Sequence, residues 1–139
     1  MKTGLFIQSY EITTGLVGVP TFEVHLAVNT HQRSISGQGI VFNKSTHPHL
    51  EIYSNLSEEF SNMTVVSDKM NIIVNLRGQG FLLSVLPIEM LNTKVTLILD
   101  SNWQRGTANY SYVDELGNWN EIRDAKVTAV LVKELVNNN

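Results

Sequence analysis

Alternation of apolar and polar residues constrains this chain more than any other feature. Phe22, Val24, Leu26 and Val28 alternate with Glu23, His25, Ala27 and Asn29; Met70, Ile72, Val74 and Leu76 alternate with Asn71, Ile73, Asn75 and Arg77. Val127, Ala129 and Leu131 repeat the pattern near the end. A strand turns successive side chains to opposite faces, so a period of two places one set in a core and the other in water. Further strands are expected near 4–13, 33–43, 49–56, 62–67, 81–86, 94–103, 107–114 and 119–124. Turn-forming stretches separate them: TGLVGVP at 14–20, NTHQ at 29–32, NKSTHP at 43–48, QRG at 104–106 and ELGN at 115–118. Helical spacing is confined to LSEEFSNM at 56–63 and PIEML at 87–91. The expectation is all-β: an antiparallel β-sandwich of roughly nine or ten strands, with a flattened β-barrel as the alternative. Residues 1–136 read as a single β-rich domain and 137–139 as a frayed Asn tail.

Composition removes several functions. The 42% hydrophobic content over 139 residues suffices for a core, and the absence of cysteine excludes disulfides, thiolate metal sites and a cysteine nucleophile. Net charge is −3 and the ten basic residues are scattered, so the chain lacks the basic patch that a nucleic-acid partner requires. No stretch approaches the apolar length of a membrane span. In MKTGLFIQSYEITTG, Gln8, Ser9, Tyr10 and Glu11 break the apolar run that a signal peptide needs. The expected location is therefore cytoplasmic, with leaderless release left open.

One segment looks like metal chemistry. In HPHLE, at 47–51, an extended backbone would point His47, His49 and Glu51 to one side, and two imidazoles with a carboxylate suit zinc, iron or nickel. Pro48 cannot donate to a ladder, however, and neither His25 nor His31 is placed nearby by sequence. A polar strand edge is the preferred reading, so no metal, cofactor or catalytic residue is assigned. Nucleophilic catalysis has no foothold without a G-x-S-x-G elbow. Asp100, Asp114, Glu115, Glu121 and Asp124 read as solvated hairpin groups. GQG occurs at 37–39 and 78–80; glycines inside a strand pattern mark bulges or bends more readily than an internal duplication.

The aromatic stretch at 97–122 suggests a sugar-stacking platform. With Arg105 and Gly106 as a hairpin loop, Trp103, Ser101, Leu99 and Leu97 share a face with Ala108, Tyr110 and Tyr112. Asp100, Asn102 and Thr96 then share the other with Asn109 and Ser111. That register buries the aromatics and argues against a platform. Trp119 is the exception: a loop longer than Gly117 and Asn118 would leave it exposed.

GLFIQSYEI at the start, NTHQRSISGQGIVFNKSTHPHL at 29–50, and LILDSNWQRGTANYSY with GNW at 97–119 together resemble a bacterial family known as domain of unknown function eighteen forty-two. The resemblance implies a small, single-domain, β-rich soluble bacterial protein and assigns no activity or site residue. The leading expectation is a non-catalytic binding or interaction module for a carbohydrate or protein ligand. The alternatives are a metal-dependent enzyme using His47, His49 and Glu51, and an accessory component of a secreted bacterial system. A homodimer formed through sheet edges is a further expectation.

Overall fold

The computed structural model describes residues 4–43, 50–66, 71–81 and 89–130. Eight antiparallel strands follow one another: β1 (Leu5–Thr13), β2 (Thr21–Asn29), β3 (Ser34–Asn43), β4 (Leu50–Val66), β5 (Asn71–Phe81), β6 (Glu89–Leu99), β7 (Arg105–Val113) and β8 (Trp119–Val130). Each pairs with its successor, and β1 pairs with β8 through Ser9↔Val130 to Thr13↔Lys126, closing a barrel. The alternative architecture, not the sandwich, is the one found. Closure pairs both outer strands, which removes the open edges on which the dimer expectation was built.

The strand count is lower than expected because segments merge. The described parts of 49–56 and 62–67, residues 50–56 and 62–66, fall into the single long β4, and residues 119–124 join the segment around Val127 in β8. The stretch at 56–63 is strand, not helix. Its pairing to β5 jumps from Glu58↔Leu76 to Met63↔Val74, so extra residues on β4 form a bulge that breaks the period of two. The described part of the second helical candidate, residues 89–91, also lies in a strand, β6. Most of the strand expected at 81–86, together with 131–139, lies outside the described residues. No helix among the described residues is long and apolar enough to cross a membrane.

Alternation sets the faces as expected. Phe22, Val24, Leu26 and Val28 are fully buried, and Ile72, Val74 and Leu76 join them in one central core. Between β6 and β7, Leu97, Leu99, Ala108, Tyr110 and Tyr112 face inward. The hairpin itself differs from the expected one. The turn spans 100–104, Gly106 pairs with Leu99, and Ala108 pairs with Leu97 instead of Trp103. The slip is an even number of positions, so every side chain keeps its face. Trp103 sits in that turn at φ 62° and drops into the barrel, where its ring meets Phe6 edge-on at 5.3 Å.

Two buried tyrosines tie the interior to the loops at opposite ends. Tyr10 donates to the Trp103 carbonyl at 2.8 Å, at the end carrying the 30–33 and 100–104 turns (the upper end). Tyr110 donates to the Pro20 carbonyl at 3.1 Å, at the end carrying the 14–20 and 114–118 loops (the lower end). Burial pushes both phenols well above their ordinary range.

Candidate functional site

The two GQG motifs lie on either side of β4 and in register with each other. Gly37 pairs with Leu56, which pairs with Gly78; Gln38 pairs with Asn55, which pairs with Gln79. The amides of Gln38, Asn55 and Gln79 therefore form a row on the outer wall, while the glycines occupy inward or tightly packed positions. These glycines answer a packing demand. A methyl at Gly39 would lie 2.6 Å from the Phe22 ring, and one at Gly78 would lie 2.8 Å from Ser54 Cβ.

Beyond this row the described β4–β5 pairs end. Among the described residues, pairing of β4 with β5 begins at Asn55↔Gln79, and Gly80 and Phe81 of β5 pair with β6. The pairing of β5 to β6 passes from Gly78↔Thr93 to Gln79↔Leu91, so Asn92 is an inserted, bulged residue. A bulge re-aims a side chain. Here the Asn92 amide turns inward, is 2% exposed, and donates to the Tyr53 carbonyl at 3.0 Å. Gly80 leaves the room: a methyl there would press on both the Tyr53 carbonyl and the Asn92 amide. Thr93 Oγ1 donates to Asn92 Oδ1 at 3.0 Å and fixes the amide's orientation.

A cleft of about 960 Å³ lies here, at the lower end. Gln38, Asn55 and Gln79 line it with amides, and Glu51, Tyr53 and Glu89 contribute from the outer face. Ile52, Ser54, Gly80, Asn92 and Val113 line it from within, and Asp114, Glu115 and Leu116 of the 114–118 loop complete it. Ser54 is 5% exposed, and its hydroxyl has no hydrogen-bond partner among the described residues. A buried polar atom left in that condition costs about 1–3 kcal/mol, so it is a departure from ordinary packing. Tyr53 is 64% exposed, and its hydroxyl donates to Glu51 Oε2 at 3.5 Å.

The loop that completes the cleft is rigidly built. Asp114 accepts from the Leu116 and Asn118 backbone amides at 3.0 Å and from the Asn120 side chain at 2.9 Å, and Gly117 takes φ 85°. The Asn120 bond first, then the backbone amides, hold the Asp114 carboxyl below the usual carboxylate range, so it stays ionised. This longer loop places Trp119 opposite Val113, half-exposed, with the Lys94 ammonium 5.8 Å from its ring.

Of the proposed metal set, His47 and His49 lie outside the described residues, while Glu51 is exposed and borders the cleft. His25 faces outward on β2 with Nδ1 2.7 Å from Ser9 Oγ, and His31 is exposed in the 30–33 turn. No group of three or more His, Asp or Glu among the described residues is placed to hold a metal ion. Tyr53 and Asn92 were not singled out by sequence. Alternation around Leu50, Ile52, Ser54 and Leu56 does carry the signal for Tyr53, since it sets Glu51, Tyr53 and Asn55 outward.

The fold and cleft define a class: an up-and-down antiparallel β-barrel with an apolar interior and a cleft whose described lining carries amides and carboxylates. The chain belongs to the family described as Domain of unknown function (DUF1842), whose model matches residues 3–119. A search of curated proteins found no match. The matched range holds β1 to β7 and the 114–118 loop, and thus every described residue that lines the cleft.

Proposed function

We propose that this protein is a non-catalytic binding module whose ligand, a carbohydrate, enters the lateral cleft. The observation that carries the reading is the junction of an amide row with an exposed aromatic ring along the cleft. Gln38, Asn55 and Gln79, exposed along the wall, each offer donors and an acceptor, which suits hydroxyl groups that need both. Tyr53 supplies a ring face beside them, and the cleft falls within the size range of small-molecule sites. Carboxylates are present, but no metal ligand set stands with them among the described residues, and the Ser9–His25 pair lies outside the cleft lining.

A glycan array tests the reading. Binding to one or more glycans should be lost in Tyr53→Ala and in Gln79→Ala and retained in Trp119→Ala, which lies outside the cleft lining. Binding that follows Trp119 instead would move the site to the Lys94 face; no binding to any glycan would reject the carbohydrate class.

A protein ligand is the second reading. Leu16, Val17 and Leu116 stand 68%, 99% and 85% exposed on the two described loops of the lower end, and Leu116 also lines the cleft. Exposed apolar residues gathered at one end are a feature of protein contacts.

A further inference from the structure

Resting on the carbohydrate reading, we infer that the sugar the cleft takes carries a protonated amine. Glu51, Glu89, Asp114 and Glu115 all border the opening, and its described lining contains no Lys, Arg or His. No cation stands within ion-pair distance of any of the four among the described residues. Among the described residues Glu89 accepts one long bond, from Asn55 Nδ2 at 3.4 Å, and Asp114 is held ionised by its own loop. A concave opening lined by one sign of charge concentrates its field on an incoming cation.

A rim of carboxylates alone would be ordinary surface. The Ser54 hydroxyl makes this one a site. It lies on an inward position of β4, is nine-tenths and more buried, and borders the cleft without a partner among the described residues. A hydroxyl both donates and accepts, so a ligand hydroxyl or amine at the base of the cleft would satisfy it. The cleft therefore offers charge at the rim, amides along the wall, and one unspent hydroxyl within. A neutral sugar uses only the last two; an amino sugar uses all three.

Calorimetric titration with two oligomers of equal length, one of glucosamine and one of N-acetylglucosamine, separates these cases at a pH where the free amine is protonated. At low ionic strength the glucosamine oligomer should bind about ten-fold tighter, and added salt should shrink that ratio, because several exposed charge pairs contribute modestly and are screened. Glu51→Gln with Glu89→Gln should bring the ratio toward one. Ser54→Ala should weaken both oligomers without lowering the melting temperature. Equal affinities, or a preference untouched by salt and by the Gln substitutions, would overturn the charge inference and leave the carbohydrate reading standing. Spermidine competing as well as the amino sugar would overturn the assignment to a sugar. Failure of both oligomers to bind would overturn both.

Discussion

At the upper end of the barrel the interior is filled by large side chains, and the Trp103 indole N–H, like the Ser54 hydroxyl, has no hydrogen-bond partner among the described residues. Trp103 is 1% exposed and packed on Phe6, and its carbonyl takes the Tyr10 hydroxyl. Along the β4–β5 seam the inward positions are instead Ser54, Gly78 and Gly80, with Gly39 across β3, and the hydroxyl of Ser54 is spent on nothing described. Both regions belong to one continuous sheet with one alternation pattern. The difference lies in residue size and in the bulge at Asn92, and it shows where this barrel trades packing for an opening.

Four substitutions probe that comparison, and their effects should fall in a definite order. Trp103→Ala removes the plug of the filled end and should cost about 3–5 kcal/mol in denaturant unfolding, as for other buried aromatics. A cost below that of an ordinary surface change would mean the upper end is not the packed one. Gly80→Ala puts a methyl against the Tyr53 carbonyl and the Asn92 amide; about 1–3 kcal/mol is expected, with loss of ligand binding as the seam shifts.

Tyr10→Phe gives up one buried hydrogen bond, about 1 kcal/mol near neutrality. It also has a pH signature. The folded-state pKa of Tyr10 is raised, so its contribution is fully present below the ordinary phenol value of about 10 and is lost as pH rises above it. The variant should therefore lose less stability than the parent between neutral and strongly alkaline pH, read as melting temperature against pH. Ser54→Ala should have the smallest effect on folding, from nil to a gain of about 1 kcal/mol, because it deletes a hydroxyl with no described partner. A clear loss of stability would show that Ser54 is as structural as Tyr10 and would erase the contrast between the two regions.

The sequence made the faces legible and the closure illegible. Alternation assigned Leu97, Leu99, Tyr110 and Tyr112 to the core even though the β6–β7 hairpin sits elsewhere, because an even slip preserves sidedness. Whether the last strand returns to the first is a long-range matter: the alternation of Val127 and Ala129 reads the same in a sandwich and in a barrel, and only pairing with β1 decides. The site was harder still. Each GQG was visible, but the bulge between Glu58 and Met63 falsified any register counted along β4, so their alignment across Asn55 could not be deduced. Asn92 looked like an ordinary residue in LNTKV; its inward turn depends on a bulge that local pattern does not announce. Trp119 was correctly left open, since its exposure turned on the length of the 114–118 loop.

The most direct test of the central claim, that the functional opening lies at the β4–β5 seam, is an isotope-edited NMR titration with the glucosamine oligomer. It would follow the side-chain amides of Asn55, Gln79 and Asn92 together with the indole N–H of Trp103. Progressive, saturable shifts at the three amides with a stationary Trp103 indole are predicted. Shifts centred on Trp103, or amides that stay fixed while binding saturates, would contradict it.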